Sequence, residues 1–445
     1  MVAATRRQRA RVAHNTGEQA LLVLRKTGWM STPDDARSEA VCRAAALADD
    51  VYAFVDTAEG RLAIDAATAR LLVEAIGTEP PPLSDADDFF ACRARHAAGR
   101  ACEASAVIIQ YADRGACDSA HVLLEAGFVP AAIGAYRRSV SVALRDDTLD
   151  VERIQAFELA SRAALALETL ASAVLGYSKT QEDVCGEYVA LGILETFSAV
   201  LAASKHSDSP LLAYQRHHML NLAGSTFMGL RDLSVVEASL VRDIGSYVGD
   251  SDGQIDSCAL YALYALTVMQ DEVTEASKSL TDAAFEALCE PHLVEAIAHA
   301  ISRGRAVSGG FIIETIAKNA PSHARAFAKP SVVGALLKVI SLNSDDARTA
   351  YEKQHKWGSN ARSQSHTGFV AAGSDSPGVE HDRKIDELSA VALLAILKTG
   401  AVAASPELGA AIVVPILDKL RASFVDPTPG PELYEIRRVC LEILG

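Results

Sequence analysis

Aromatic residues are only 6% of this 445-residue chain, and tryptophan occurs twice, at Trp29 and Trp357. The apolar share, 49%, is ample for a large core and is led by alanine and leucine, which favour helix. Basic residues are in deficit, 42 against 57 acids, for a net charge of −15. Such a surface repels phosphates, which argues against a nucleic-acid partner. No apolar run reaches the roughly 18 residues of a membrane span. The longest candidate, Ala259 to Met269, is soon interrupted by Asp271 and Glu272. The eight cysteines form no Cys-x-x-Cys pair and, with the histidines, no zinc-finger spacing, so they read as reduced, buried thiols of an intracellular protein. Walker loops, dinucleotide glycine motifs and His-Glu-x-x-His are absent, and the chain is read as needing no cofactor and no metal.

What the chain has is one apolar register in eight copies. From Phe128, apolar or small residues fall at offsets 0, 1, 4, 5 and 8: Phe128, Val129, Ala132, Ile133 and Tyr136. The template recurs from Ile193, Leu293, Val332 and Ile412, with weaker copies near Leu21, Leu71 and Val235. Those offsets trace one face of a helix and never of a strand. Intervals of 39, 42 and 80 residues indicate stacked helical units, each too small to bury its own face. Gaps of 57, 65 and 58 residues show that the spacing is uneven. The expected fold class is all-α, an α-solenoid of stacked helical repeats.

Residues 120–133 read Ala-His-Val-Leu-Leu-Glu-Ala-Gly-Phe-Val-Pro-Ala-Ala-Ile. This resembles the armadillo-repeat family, whose units carry a short helix ending in Glu-x-Gly, then a helix opening Ile/Val-Pro, then a turn into a longer third helix. Asp150 to Val174 supplies that third helix, and the resemblance recurs at Leu191 to Leu194 and Pro330 to Val333. Acidic or Ser-rich turns at Pro33 to Asp35, Ser84 to Asp88, Asp146-Asp147, Ser207 to Pro210 and Ser251 to Gly253 fall between second and third helices. Ser or Asp there caps the coming helix. The parse gives a basic arm over 1–17, repeats over 18–342, a disordered insertion over 343–384 within one repeat, and repeats with a cap over 385–445. The insertion is expected because apolar periodicity vanishes there, so burial cannot offset ordering entropy. The basic start (Arg6, Arg7, Arg9, Arg11) reads as an arm, with an organelle transit sequence as the alternative.

Three motifs invite a chemical reading. Asp146-Asp147-Thr148-Leu149-Asp150 spells the DDxxD string of all-helical isoprenoid synthases, whose carboxylates hold a magnesium diphosphate. A facing acidic cluster is missing over 230–260, and an armadillo turn expects acids at this point. Gly249-Asp250-Ser251-Asp252-Gly253 spells a nucleophile elbow, which needs a strand that this chain lacks; an interhelical turn is expected. His217 and His218 are adjacent, so they are expected on different sides of their helix and cannot make an i, i+4 zinc pair.

In peptide-binding armadillo proteins of the importin-alpha type, third helices carry Trp-x-x-x-Asn ladders. By that resemblance His217 takes a tryptophan position and Asn221 an asparagine position, and Leu165 with Thr169, Tyr264 with Val268 and Phe311 with Thr315 occupy the corresponding places. Both tryptophans lie outside these helices, which argues against reading a nuclear signal. The candidate groove is therefore His217, Asn221, Tyr261, Tyr264, Phe311 and Thr315, set against the alternative that these side chains only pack between repeats.

The resemblance implies a non-enzymatic scaffold or adaptor of the cytoplasm or nucleus, acting as a monomer or within a larger complex. The expected partner is a protein or peptide, for which a basic one is the better electrostatic match, and neither nucleic acid nor a membrane. The alternatives are a chaperone cofactor or assembly factor clasping a folded client, and a metal-dependent all-α enzyme using Asp146, Asp147 and Asp150.

Overall fold

The computed structural model describes residues 66–79, 88–112, 118–173, 178–205, 210–271, 279–342, 385–400, 406–425 and 431–444. The basic arm, the 343–384 segment, both tryptophans and the turns at 33–35 and 84–87 lie outside them. The described residues form eighteen α-helices, two short 3-10 turns and no strand. The fold is all-α. Two compact units divide the chain, Met1–Gly229 and Leu230–Gly445.

The first unit contains α1 (Ala66–Gly77), α2 (Asp88–Ala112), α3 (Asp118–Glu125), α4 (Phe128–Ala143), α5 (Asp150–Ala173), α6 (Ser178–Ala190), α7 (Ile193–Ser204) and α8 (Pro210–Phe227). The second contains α9 (Ala238–Gly245), α10 (Gly253–Asp271), α11 (Asp282–Leu288), α12 (Pro291–Ser302), α13 (Ala306–Asn319), α14 (Pro321–Ala324), α15 (Pro330–Ile340), α16 (Ile385–Lys398), α17 (Pro406–Val425) and α18 (Pro431–Leu444).

The recurring register becomes the buried face of α4, α7, α12 and α15. All five template positions are buried in α4, α12 and α15, as are Ile193, Leu194, Phe197 and Leu201 of α7. Each such aliphatic or aromatic side chain contributes about 1.5–3 kcal/mol when fully buried, which outweighs the small propensity differences along these helices. In α17 the register is half kept: Ile412 and Ile416 are buried and Val413 is exposed. The weaker copy near Val235 holds from Val236, with Val236, Leu240, Val241 and Ile244 buried. Leu233–Val235 is a 3-10 turn in which the Asp232 carboxylate accepts the Ser234 N–H, and the second helix starts later, at Ala238.

Local chemistry sets the helix ends. Gly127 and Gly192, the glycines of the Glu-x-Gly and Leu-Gly strings, hold φ of 89° and 82° between a first and a second helix. Only a residue without a Cβ adopts that left-handed turn without strain. At Gly192 a Cβ would also meet the Arg137 guanidinium at 2.9 Å, where Arg137 donates to the Leu191 carbonyl at 2.6 Å. Proline opens α12, α14 and α15, where a missing N–H costs nothing. The Thr281 hydroxyl accepts the Ala284 N–H at the start of α11.

Helices of the same rank pack on one another in succession. In the first unit α5 lies against both α2 and α8, and α4 lies against α1 and α7. In the second unit α13 lies against α10 and α16, while α12 packs on α15 and α15 on α17. Longer-range polar contacts join successive groups: Arg138 donates to the Gly77 carbonyl, and Lys419 on α17 to the Leu342 carbonyl beyond α15. No single described helix is long and apolar enough to cross a membrane; Asp183–Ala190 and Ile193–Ser204 pass that test only as a pair, bent by 62°.

Candidate functional site

α5 buries one face against its neighbours and leaves the other toward solvent, whereas α10 is buried almost all round, with only Ser257 and Tyr261 half-buried between Ile255 and Val268. On α5 the buried face is Ala156, Phe157, Ala160, Ala163, Ala164 and Leu167. The opposite stripe, at i+3 and i+4 steps, is Val151, Ile154, Glu158, Arg162, Leu165 and Thr169. Leu165 and Thr169 are half-buried, and the Thr169 hydroxyl turns back onto the Leu165 carbonyl at 2.7 Å, so it is spent within its own helix.

Charges join α2 and α5. Arg95 pairs with Glu152 in a nearly buried contact. Beside it, Arg100 pairs with Glu103 at 2.6 Å, Glu103 with Arg162 at 3.0 Å, and Arg162 with Glu158. Gly99 makes room for this ladder, since a Cβ there would stand 2.8 Å from the Arg162 guanidinium.

On α8, His217 is half-buried and Asn221 is buried, with Asn221 Nδ2 3.5 Å from His217 Nε2. The separation is at the limit of a hydrogen bond. His217 and His218 do not point to different sides as expected. Their rings meet edge-on with centroids 5.3 Å apart, because neighbouring helix positions differ by only ~100° and both flank the solvent face. Tyr214 meets His218 edge-on at 4.6 Å. Both ring nitrogens of His218 are buried and have no hydrogen-bond partner. Burial, and then the neighbouring His217, lower its pKa to about 3. The imidazole is therefore neutral at pH 7 and cannot serve as a general acid there. Tyr214 remains exposed beside the Glu158–Arg162 pair.

One step toward the core lies a polar cluster that the sequence reading missed. Gln215 is fully buried, accepts the Ser161 hydroxyl at 2.8 Å and donates to the Tyr136 hydroxyl at 3.4 Å. Its position in the stripe Leu212, Gln215, Met219, Leu222 marks it as a polar residue on an apolar face. That periodicity was the available signal.

The remaining groove candidates belong to the second unit. Tyr261 on α10 is half-buried, Tyr264 is buried, and Tyr264 meets the half-buried Phe311 of α13 edge-on at 5.7 Å. Burial, and then Tyr261, push the Tyr264 hydroxyl up to about 12. Val268 and Thr315 are buried. Thus Asn221, Tyr264 and Thr315 pack between helices, while His217, Tyr261 and Phe311 keep an accessible side.

The motifs with chemical readings fall in turns. Asp146 and Asp147 are exposed between α4 and α5, and Asp150 is the first residue of α5, so the DDxxD string spans a turn rather than one helix face. In Gly249 to Gly253 the aspartates cap backbone: Asp250 accepts the Asp252 N–H, Asp252 the Gln254 N–H, and Asp256 the Gly249 N–H at 2.7 Å. Ser251 is exposed in this turn, with α10 starting at Gly253. Among the described residues no group of three or more His, Cys, Asp or Glu could hold a metal ion.

No family model matches the chain, and no curated protein matches it. Among solved structures it is similar to one described as an engineered protein, at 13% identity over 64% of this chain and 96% of that one, with a TM-score of 0.41. A likeness at that level carries no argument about this chain.

Proposed function

We propose that the chain is an armadillo-like α-solenoid that acts as a protein-interaction scaffold, docking partner proteins or peptides on the third-helix faces of its units. The observation that supports this most is the succession of like-ranked helices, α2 to α5 to α8 and α10 to α13 to α16. Stacking of that kind buries one face of α5 against α2 and α8 and leaves the other accessible, while α8, α10 and α13 keep single accessible side chains among mostly buried ones. Small rotations between repeats curve such a surface, so that many weak contacts add to one binding event. The side chains that remain accessible on it are the anchors: His217 and Tyr214 in the first unit, Tyr261 and Phe311 in the second. Half-buried aromatics of this sort are typical of binding surfaces because they bring large area at little entropic cost.

The test is affinity capture from the source cell with wild type and a His217→Ala, Tyr261→Ala, Phe311→Ala variant whose folding is verified by thermal melting. Partners bound by wild type and lost from the variant support the reading. An unchanged partner set places docking elsewhere. Catalytic turnover without stable partners would replace the scaffold reading altogether.

A further inference from the structure

At the corner between α4 and α5 three large aliphatic side chains stand in solvent within six residues: Leu149 at 56%, Val151 at 59% and Ile154 at 48% exposure. Single exposed aliphatics are ordinary, but a group of them beside charged residues marks an interaction surface. Around them stand Asp146, Asp147 and Asp150, all exposed. Two cations, Arg145 and Arg153, stand beside these three acids, so the corner keeps a net negative charge. Arg153 is turned onto the carbonyls of Arg145 and Thr148, at 3.1 and 3.2 Å, and meets Asp150 only at 3.4 Å. Arg145 is exposed, and Glu152 is already held by Arg95. Val151 and Ile154 continue along α5 into Glu158, beside which Tyr214 is exposed.

We propose that this corner docks a basic amphipathic segment of a partner protein. Its aliphatic side chains cover Leu149, Val151 and Ile154, and its lysines or arginines meet Asp146, Asp147 and Asp150. Charge decides the occupant. An acidic or phosphate-bearing ligand is repelled both by the corner and by the net charge of −15, whereas a basic segment is steered toward it. The inference rests on the third-helix faces being docking surfaces, and it adds the chemistry of what docks at one end of the α5 face.

The test is fluorescence anisotropy of the full chain with a short labelled Leu/Lys amphipathic peptide, and with a Leu/Glu peptide of the same apolar pattern. Two corner variants, Leu149→Ser with Ile154→Ser and Asp146→Asn with Asp147→Asn and Asp150→Asn, are compared with wild type. The single substitutions Ile154→Ser and Asp147→Lys accompany them, with urea midpoints to verify folding. Controls are Val413→Ser with Val414→Ser, and Leu441→Ser, all exposed aliphatics outside the corner, and a His217→Ala, Phe311→Ala variant is measured beside them. The expected result is binding of the Leu/Lys peptide at least about tenfold tighter than the Leu/Glu one, weakened at least about tenfold in the corner variants and by added salt, and unchanged in the controls. No binding, equal binding of both peptides, or binding indifferent to the corner variants would overturn the corner assignment. Loss confined to the His217→Ala, Phe311→Ala variant would overturn it as well, while leaving the third-helix reading in place.

Discussion

The ring of Tyr264 on α10 meets the ring of Phe311 on α13 edge-to-face, with centroids 5.7 Å apart. The pair joins two successive third helices of the second unit, and Phe311 keeps a solvent side while Tyr264 is buried. A double-mutant cycle with Tyr264→Leu and Phe311→Leu should give a coupling of about 0.5–1.5 kcal/mol in urea unfolding. Purely additive losses would mean that the rings only fill space.

His218 carries a pH dependence with a definite sign. Its pKa of about 3 in the fold lies below the ordinary value of 6.5, so between those limits the unfolded chain binds a proton that the folded chain refuses. Stability from this group is therefore complete above pH ~6.5 and falls as pH drops toward 3, with a slope of up to about 1.4 kcal/mol per pH unit. A His218→Phe variant should lose less stability than wild type between pH 7 and pH 5. Parallel urea midpoints at the two pH values would contradict the assignment.

Gly309 on α13 lies so close to α12 that a Cβ would stand 2.5 Å from Ile301 Cγ1. Gly309→Ala should destabilise the chain by about 1–3 kcal/mol through overpacking, despite the better helix propensity of alanine. Adding Ile301→Ala should remove the overpacking penalty, leaving only the loss expected of Ile301→Ala alone. Chemical denaturation of the three variants measures both effects.

Arg95 and Glu152 form the nearly buried ion pair between α2 and α5. Glu152→Gln should cost about 3–5 kcal/mol, because it takes the carboxylate charge away from a desolvated guanidinium, while replacing both residues with methionine should cost far less. Equal losses for the single and double variants would argue against the pair acting as a unit.

Cys102, Cys185, Cys258, Cys289 and Cys440 are buried, and burial pushes the thiols of Cys102, Cys185 and Cys289 up to about 12. In the native protein at pH 8 these five should resist a thiol reagent and react only after unfolding, since the thiolate is the reactive form. Mass spectrometry of labelled cysteines would show which sites react.

The register at Phe128, Leu293 and Val332 was legible in the sequence because burying a helix face demands offsets near 3.6, and no other structure uses that spacing. For the same reason the glycines at 127 and 192, the prolines opening α12 and α15, and the acidic turns at Asp146 and Ser251 could be placed before any coordinates: each is fixed by backbone conformation within a few residues. Near Val235 the helix start was not legible, because Leu233-Ser234-Val235-Val236 does not show where a helix begins and the Asp232 cap takes 233–235 into a 3-10 turn. Tertiary structure alone decided which groove candidates face outward. Asn221, Tyr264 and Thr315 share the stripes of His217, Tyr261 and Phe311, yet they are covered by the neighbouring helix, whose distance and register no local pattern encodes. The Glu103–Arg162 contact belongs to that level too, since it joins α2 to α5, whereas the meeting of His218 with Tyr214 is an i, i+4 pair of one helix. The sequence determined the helices and their buried faces through local periodicity; the order of packing, acting over 50 or more residues of chain, determined which side chains stay exposed.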